Sequence, residues 1–418
     1  MAAGAQGQHQ PSAWIICQHA GSPRHGMNYR PYYLARELAA RGVAVTVFSG
    51  STSHEYHAPP VTTGRYTEED VDGLRYVWIR TPAYGESRSL GRVKTWAAYL
   101  AGLYALPAAR WPRPDAIVVS SPPPYPVLPA ARLARRFGAR LVFEVRDLWP
   151  LSLVELGGYS TRHPFVRLTQ WVEDYAYRRA DLVVSVLPAA ESHMRSRGLD
   201  PAKYRHVPNG ALVPDGPPAA PSDAARNLLP GRRFVVGYAG KVGIAYGLDV
   251  LVDAAALLRH RTDIGIAIVG GGTDRDALAA RATALGLDNV AFMPPVPKAE
   301  VPGLLAGMDA CWLGLRDEPL FRFGVSPTKL FDYMLAGRPV VMGIRAGNDP
   351  VADAGCGITV PPADPRALAD AIVRLADSAP DALRAMGEAG HRYLAERHDW
   401  KTLGSRYYDI LFGKDASP

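Results

Sequence analysis

The feature that most constrains the fold is a regular alternation of short apolar runs with segments of helical periodicity. In the first half, the apolar runs occupy residues 13–17, 43–48, 116–120, 141–144 and 182–186. Runs this short and continuous are typical of parallel strands that are covered by helices on both faces. The sequence therefore predicts an α/β fold with a doubly wound parallel sheet.

The same alternation begins again in the second half, with apolar runs at 234–238, 264–269, 310–314 and 338–342. Between the halves, residues 209–232 are rich in proline and lose the apolar periodicity, which is typical of a linker. We therefore expect two Rossmann-like domains that face each other. Because ligands bind beyond the carboxyl ends of parallel strands, an interdomain cleft would hold the functional site.

Charge and cysteine content narrow the function classes. The net charge is +7, and the basic excess lies before residue 216, with 25 Lys and Arg against 17 Asp and Glu. We expect that half to meet an anionic surface or substrate.

The three cysteines form no Cys-x-x-Cys pair, so neither a zinc site nor a disulfide framework is expected. The amino terminus lacks a signal-peptide pattern, and the longest uncharged apolar stretch, 96–109, is too short to span a bilayer, so a soluble or membrane-peripheral protein is expected. The cysteine usage fits a reducing compartment, and the expected location is cytoplasmic.

Two loops of the first half carry candidate binding residues. The loop 21–30 is glycine-containing and leads into a helix, a geometry that lets the backbone approach an anion. The segment 144–150 places ionisable residues at the carboxyl end of a strand, which favours a cleft over a core. A plain strand-to-helix turn is the alternative for the first loop, and an internal salt bridge is the alternative for the second.

Three segments of the second half have phosphate-binding character. Residues 240–247 place three glycines around Lys241, and residues 270–272 form a glycine triplet after a strand. In the third segment, Ser326 is predicted to cap a helix that begins at Pro327, so that its amino terminus binds a phosphate. Lys329 adds a charge there, and Asp332 can accept ribose hydroxyls one turn further on. The alternative is a capped helix with solvent-facing Lys and Asp side chains.

The order and spacing of these motifs resemble the retaining glycosyltransferases of family 4 with GT-B architecture. More narrowly, the chain is similar to bacterial amino-sugar transferases of lipopolysaccharide, O-antigen and capsule assembly. The resemblance implies an acceptor-binding domain at 1–212, a nucleotide-sugar-binding domain at 213–397, and a helix at 398–418 that crosses back to the first domain. It also implies a UDP-linked donor carrying an N-acetylated amino sugar, and a lipid-linked or lipopolysaccharide saccharide acceptor. No cofactor, metal or nucleic acid is implied.

The sequence departs from that family at several positions. Asp332 matches the second acidic residue of the Glu-x7-Glu signature, but Gly324 stands where the first is expected. Arg146 replaces the usual cleft histidine. The two phosphate-binding cations of the family fall on Lys241 and Tyr246, so that one is lost and Lys329 is its candidate replacement.

The residues predicted for the site fall into three groups. The catalytic group is expected to stabilise the departing diphosphate and to position sugar and acceptor, and it comprises Arg146, Asp147, Lys241 and Lys329. The donor-binding group comprises Gly26, Gly240, Gly243, Gly270, Gly271, Ser326, Pro327, Thr328 and Asp332. The acceptor or cleft group comprises Arg24, His25, Tyr29, Glu144 and Asn209, and no metal ligand is predicted.

Membrane contact is a further expectation. One helical stretch is predicted to combine cations, aromatic and apolar residues, as in a helix lying on anionic headgroups at the inner face of the cytoplasmic membrane. These residues are Arg92, Lys94, Trp96, Tyr99, Leu100, Leu103, Tyr104, Arg110, Trp111 and Arg113. The alternative is a helix packed on the first sheet.

Two other functions are compatible with the sequence. A UDP-sugar epimerase can share two facing α/β domains, but it needs an acid and a base beside the sugar ring. A non-catalytic nucleotide-binding scaffold is suggested by Gly324 in place of an acidic residue.

Overall fold

The computed structural model describes residues 10–26, 28–84, 90–214, 216, 219–226, 228–229 and 231–413. The chain divides into two compact units. Unit 1 comprises Met1–Asn209 with Trp400–Pro418, and unit 2 comprises Gly210–Asp399.

The strands of unit 1 form a mostly parallel sheet. They are β1 (Ser12–Ile16), β2 (Ala44–Gly50), β3 (Tyr66–Val71), β4 (Leu74–Ile79), β5 (Ala116–Ser121), β6 (Arg140–Val145), β7 (Leu182–Ser185) and β8 (Tyr204–His206). Their order across the sheet is β3-β4-β2-β1-β5-β6-β7-β8, and only the β3–β4 pair among these described strands is antiparallel.

The helices of unit 1 lie between these strands and at the end of the chain. They are α1 (Arg30–Ala39), α2 (Leu90–Tyr104), α3 (Val127–Phe137), α4 (Leu151–Glu155), α5 (Pro164–Arg179) and α6 (Glu191–Ser196), with α15 (Trp400–Phe412) as the last element. The α15 side chains Trp400, Leu403 and Tyr407 are buried in the core that also contains the β1 and α1 side chains. Burial of this apolar face attaches the end of the chain to unit 1.

Unit 2 contains a second, fully parallel sheet. Its strands are β9 (Phe234–Ala239), β10 (Ile264–Val269), β11 (Val290–Met293), β12 (Ala310–Gly314), β13 (Val340–Gly343) and β14 (Gly357–Thr359), in the order β11-β10-β9-β12-β13-β14. Its helices are α7 (Asp223–Arg226), α8 (Leu248–Leu257), α9 (Arg275–Ala284), α10 (Val301–Leu305), α11 (Thr328–Leu335), α12 (Pro350–Ala354), α13 (Pro365–Ala376) and α14 (Pro380–Arg397). Separate apolar clusters pack against the two faces of this sheet. The predicted doubly wound α/β class is thus confirmed in both units.

The segment predicted to lie on a membrane differs from the expectation. Helix α2 ends at Tyr104, and a 3₁₀ turn at Ala108–Arg110 follows Pro107, whose missing N–H group cannot continue a helix. Trp96, Tyr99 and Trp111 are buried within unit 1. Their rings are therefore used in packing, as the alternative interpretation holds, and a single helical stretch reaching Arg113 is wrong. Within the described ranges, no helix has the length and apolarity needed to cross a bilayer.

Candidate active site

The glycine-rich loops that follow β9 and β10 pack directly on one another in unit 2. The Gly240 N–H group donates to the Val269 carbonyl at 2.9 Å, and the Val242 N–H group donates to the Gly271 carbonyl at 2.9 Å. A Cβ atom at Gly270 would lie 1.8 Å from the Gly240 carbonyl oxygen, so only glycine allows this approach. The structure thus brings the predicted Gly240, Gly270 and Gly271 together at the carboxyl edge of the sheet.

The next turn of the β9 loop carries Gly243 and Tyr246. Gly243 has an extended backbone and precedes the 3₁₀ turn Ile244–Tyr246, whose Tyr246 N–H group donates back to the Gly243 carbonyl at 3.0 Å. The Arg316 N–H group, from the loop after β12, donates to the Ala245 carbonyl at 3.1 Å. This turn is therefore held from both sides.

Helix α11 begins one residue later than the sequence predicts. Pro327 has φ −76° and ψ 122°, so it is the capping residue in an extended conformation and Thr328 is the first helical residue. The prediction that Ser326 caps the helix, with Pro327 as its first residue, is wrong for this reason. Ser326 and Pro327 are half-buried, whereas Thr328 is exposed beside them at the helix amino terminus.

The loop before α11 is fixed by a residue that the sequence analysis missed. The Asn348 side chain accepts a hydrogen bond from the Val325 N–H group at 2.8 Å and donates one to the Val325 carbonyl at 3.0 Å. Asn348 is distant from Val325 in the sequence, and no local pattern marks this pairing. It serves to position the segment that leads to Lys329.

Lys329 reaches from α11 onto the β9 loop. A Cβ atom at Gly240 would lie 2.4 Å from Cε of Lys329, so the lysine stem lies against the glycine backbone. Its Nζ is 4.0 Å from the ring centre of Tyr246 and 5.7 Å from that of Tyr238. Because aromatic faces attract cations, the two tyrosines hold the ammonium group at this loop. Burial lowers the pKa of Lys329, and the Asp332 carboxylate acts in the opposite direction.

Lys241 is the second cation of this site. Its side chain is exposed, and its carbonyl accepts a hydrogen bond from the Tyr238 hydroxyl at 2.6 Å. Tyr238 thus contacts both lysine positions, with its ring near the Lys329 ammonium and its hydroxyl on the Lys241 backbone. The loop places Lys241 beside Gly240, which Lys329 contacts.

Asp332 lies one helical turn beyond Lys329. Burial raises the pKa of its carboxyl, while the positive charges of Lys298 and Lys329 lower it. Among the described residues no side chain or backbone group donates a hydrogen bond to this carboxylate. An acceptor of this kind, half-buried one helical turn beyond Lys329, is suited to sugar hydroxyls.

Gly324, which replaces the first acidic residue of the family signature, has φ 97° and ψ 167°. This region of backbone space is almost exclusive to glycine. The Gly324 N–H group donates to the Phe321 carbonyl at 2.9 Å. The chain here follows a path that an acidic residue cannot adopt without strain.

We expect Gly324→Ala to destabilise unit 2 by about 1–3 kcal/mol, because the substitution forces a β-carbon into that conformation. Gly324→Glu is expected to destabilise unit 2 by a similar amount, and not to restore the function of the acidic residue that the family has at this position. Urea unfolding of the full chain measures the effect. Gly64→Ala is the matched control, since the space around Gly64 is open and its φ is not in the left-handed region. Unchanged stability of both Gly324 variants would contradict the assignment.

The loop that carries Arg24, His25 and Gly26 is closed against neighbouring chain in unit 1. Arg24 forms a 3.1 Å ion pair with Glu69, and Nε2 of the buried His25 lies 3.2 Å from the same carboxylate. A Cβ atom at Gly26 would lie 2.3 Å from the Glu55 carbonyl oxygen. These contacts fit the alternative of a structural turn, in which Gly26 packs against the backbone at Glu55.

Tyr29 and Asn209 belong to unit 1. Tyr29 directly precedes α1, and Asn209 ends the first of the two chain segments that form the unit. Both residues are half-buried, and the Tyr29 ring lies 6.2 Å from that of Tyr33. Their assignment to the acceptor or cleft group stays a prediction.

Glu144 is buried rather than open to a ligand. Its carboxylate accepts hydrogen bonds from Arg30 at 2.9 Å, Ser120 at 2.7 Å and Tyr407 at 2.9 Å, and 2% of the residue is exposed. Burial alone would raise the pKa of Glu144, but Arg30 and the Ser120 hydrogen bond hold it below its ordinary value. The internal salt bridge is therefore the correct interpretation, and the carboxylate that the sequence predicts for the acceptor or cleft is used in the packing of unit 1.

Arg146 and Asp147 follow at the end of β6. The Arg146 guanidinium donates to the Ser121 carbonyl at 2.9 Å and to Oδ1 of Asn28 at 2.5 Å, both neutral acceptors. Within the described part of the chain it forms no ion pair, although its charge acts to lower the pKa of the Glu144 and Asp147 carboxyls. Burial raises the pKa of the Asp147 carboxyl. Both residues are half-buried just after β6, and their contact with a ligand stays a prediction.

Metal-ligating side chains do not gather at the site. Over the described ranges, no group of three or more His, Cys, Asp or Glu residues is placed to share an ion.

Family models match most of the chain. Residues 25–210 match the glycosyl transferase 4-like domain, and residues 233–378 match the domain of glycosyl transferases group 1. The glycine-rich loops, Lys329 and Asp332 lie within the second match, whereas Arg146 and Asp147 lie within the first.

Curated relatives cover most of both sequences. A protein of Pseudomonas aeruginosa described as a probable glycosyltransferase, WbjE, is 24% identical over 85% of this chain and 87% of its own length. The alpha-D-kanosaminyltransferase of Streptomyces kanamyceticus is 27% identical over 68% of this chain and 72% of its own length.

Solved structures share the fold at low sequence identity. Alr3699/HepE of Anabaena, in complex with UDP and glucose, has a TM-score of 0.65 and 18% identity, covering 96% of this chain and 99% of that one. WaaG, a glycosyltransferase involved in lipopolysaccharide biosynthesis, has a TM-score of 0.64 and 17% identity, covering 96% and 100%.

Proposed function

Because this chain belongs to the GT-B glycosyltransferases, with a glycosyl transferase 4-like domain followed by a group 1 domain, we propose that it transfers a sugar from a nucleotide sugar to a saccharide acceptor with retention of configuration. The proposed donor is a UDP-linked N-acetylated amino sugar. The proposed acceptor is a lipid-linked or lipopolysaccharide saccharide of cell-surface polysaccharide synthesis, which would bring the enzyme to the inner face of the cytoplasmic membrane.

The observation that carries this proposal is the position of Lys329 against the β9 loop. Its ammonium lies at Gly240, beside Lys241 and one helical turn from Asp332. A diphosphate placed on this loop would meet two cations and backbone N–H groups, and a ribose would meet an acceptor carboxylate. This arrangement supports nucleotide-sugar binding by unit 2.

The proposed chemistry follows from where charge develops. As the bond between the anomeric carbon and the diphosphate oxygen breaks, negative charge grows on the diphosphate, where Lys241 and Lys329 would stabilise it. The acceptor oxygen bonds to the anomeric carbon on the same face, and its proton passes to the departing diphosphate oxygen. Two lysines and N–H groups would take the part that a metal ion has in other transferases, and undiminished activity in EDTA is the expected result.

Unit 1 supplies the residues proposed for the acceptor. Arg146 has no carboxylate partner among the described residues, and Asp147 is a desolvated acid beside it. We assign them to positioning the sugar and the acceptor. The proposal involves no covalent glycosyl intermediate on either residue.

The relatives support the finer parts of the proposal. HepE binds UDP and glucose, the kanosaminyltransferase transfers an amino sugar, and WaaG is involved in lipopolysaccharide biosynthesis. Each of these properties belongs to its own protein, and together they favour UDP, an amino sugar and a saccharide acceptor here.

A panel of UDP, GDP, TDP and ADP in a thermal-unfolding assay tests the donor assignment. A ligand at about 100 times its Kd stabilises the protein that binds it by about 2.7 kcal/mol. We expect UDP to raise Tm more than the other nucleotides, and uridine, which lacks the diphosphate, to raise it little. Equal shifts with all four, or none, would contradict the choice of UDP.

Incubation of the enzyme with a UDP-amino sugar, with and without acceptor, separates the remaining functions. A transferase yields a new glycoside only when the acceptor is present, and NMR of its anomeric proton is expected to show the configuration of the donor. Epimerised donor in the absence of acceptor would establish the isomerase, and an unchanged donor with the acceptor present would favour the scaffold.

A further inference from the structure

Two side chains just after β1 carry buried nitrogen atoms that have no hydrogen-bond partner among the described residues. Neither ring nitrogen of His19 has a partner among the described residues, although only 5% of the residue is exposed. The amide nitrogen of Gln18, which is 2% exposed, is likewise unpartnered within the described chain. Buried polar groups in folded proteins are nearly always satisfied, so these exceptions require an explanation. The stability of the fold does not explain them, because burying a polar group without a hydrogen-bond partner is unfavourable for folding.

The residues around His19 belong to several strand ends of unit 1. The His19 carbonyl accepts a hydrogen bond from the Asn28 side chain at 2.7 Å, and the same side chain accepts the 2.5 Å bond from Arg146. The His54 ring, from the loop after β2, lies 5.9 Å from the His19 ring in an edge-to-face arrangement. Nδ1 of His54 is 3.0 Å from the Tyr84 hydroxyl. The Asn28 side chain thus connects the His19 backbone to the Arg146 guanidinium, which forms no ion pair among the described residues.

The electrostatic environment of His19 is positive. Burial, together with the charges of Arg92, His54 and Arg146, lowers the pKa of His19 to about 3. No carboxylate contributes to this shift. At neutral pH the imidazole is therefore neutral, with one N–H donor, and the charged groups that shift its pKa are cationic. The excess of Lys and Arg in the first half of the sequence agrees with this polarity.

We propose that these groups form a subsite for a phosphate or diphosphate group carried by the acceptor. It comprises Gln18, His19, His54, Arg92 and Arg146. Phosphate oxygens accept several hydrogen bonds, which suits an imidazole N–H and an amide N–H that have no partner, together with the guanidinium charges that act on His19. The inference rests on the proposed glycosyl transfer, in which unit 1 binds the acceptor, and it adds residues and an anionic group to that binding.

Titration of inorganic pyrophosphate into the full chain, with UDP already saturating, tests this subsite. The imidazole proton signals of His19 and His54 in NMR spectra, assigned by single substitutions, are expected to shift in a saturable manner. His19→Phe is expected to weaken pyrophosphate binding at least 10-fold, to leave UDP binding unchanged, and to leave Tm equal or higher because an apolar ring replaces an unsatisfied group. Arg146→Met is expected to weaken pyrophosphate binding by a similar factor.

Two matched variants serve as controls, since His260 and Arg132 are exposed and lie outside the proposed subsite. His260→Phe and Arg132→Met are expected to bind pyrophosphate as the wild type does. Equal binding by wild type and His19→Phe, or no binding by the wild type, overturns the proposal. A chain that binds no nucleotide would instead overturn the proposed function, and pyrophosphate titration of Lys329→Met without nucleotide then still tests the subsite.

Farnesyl diphosphate distinguishes the two sources of the phosphate. If it binds at least 10-fold more tightly than pyrophosphate, and His19→Phe removes that binding, the subsite accepts a lipid-borne diphosphate. If both probes bind alike through His19, the subsite accepts the phosphate of a water-soluble saccharide. Binding of farnesyl diphosphate that His19→Phe leaves intact contradicts the assignment.

Discussion

Lys329→Met is expected to lower kcat by about 10²–10³-fold while leaving the fold intact. The magnitude is that of removing one group that stabilises developing negative charge in an active site. The Lys329 ammonium is held against Gly240 by the Tyr246 and Tyr238 rings, so its loss removes a fixed charge from the proposed diphosphate position. Initial rates with saturating donor measure the effect, and Tm checks that folding is unchanged.

The position of Tyr246 provides a rescue experiment for the same prediction. Nζ of Lys329 lies 4.0 Å from the centre of the Tyr246 ring. The family 4 glycosyltransferases, which the sequence resembles, carry a phosphate-binding cation at the position of Tyr246. In a Lys329→Met background, Tyr246→Lys is therefore expected to recover about 10-fold in kcat, because the ammonium enters the same region from the other loop. Lys401→Met, an exposed substitution on α15, is the control and is expected to leave the rate unchanged. A Lys329→Met enzyme as fast as wild type would contradict the role of Lys329.

Glu144→Gln is expected to destabilise unit 1 by about 3–5 kcal/mol. The Glu144–Arg30 pair is buried, with 2% and 4% of the side chains exposed, and the substitution leaves the Arg30 charge without its partner. Arg30 also donates to the Val207 and Pro208 carbonyls, so its displacement would disturb the end of the first segment of unit 1. Urea unfolding of the full chain, followed by circular dichroism and tryptophan fluorescence, measures the loss.

The exposed pair Arg384–Asp381 is the matched comparison for this buried pair. Its side chains are 63% and 85% exposed, and Asp381→Asn is expected to change stability by less than about 1 kcal/mol. The same comparison tests whether Glu144 has a structural role or contacts the acceptor. If Glu144→Gln left stability unchanged and instead weakened acceptor binding, the buried structural role would be wrong and the residue would contact the acceptor.

Most strands that are continuous apolar runs were predicted, but β11, Val290–Met293, was missed although its residues are apolar. The hairpin β3–β4 was missed because β3, Tyr66–Val71, is largely polar and lies at the sheet edge. A signal for it was present, however. Asp72 and Gly73 both have positive φ, at 55° and 82°, and Asp-Gly is a favoured two-residue turn between antiparallel strands.

The candidate site was predictable where its residues are neighbours in the sequence. The glycines and lysines of unit 2 occur in short motifs at strand ends, whose place in a parallel sheet is fixed. The role of Glu144 was not predictable, because its partners Arg30 and Tyr407 are 114 and 263 residues away. The role of Asn348 was not predictable either, because its partner Val325 is distant in the sequence. The buried, unpartnered ring of His19 follows from tertiary packing, and no local sequence pattern indicates it.

A crystal structure of the full chain with UDP tests the central claim most directly, namely that the loops after β9 and β10 and the start of α11 hold the donor diphosphate. We predict the diphosphate oxygens within hydrogen-bond distance of Lys329 and of N–H groups of the Gly240 loop, and the ribose hydroxyls on Asp332. A nucleotide whose diphosphate lies away from both lysines would contradict the claim.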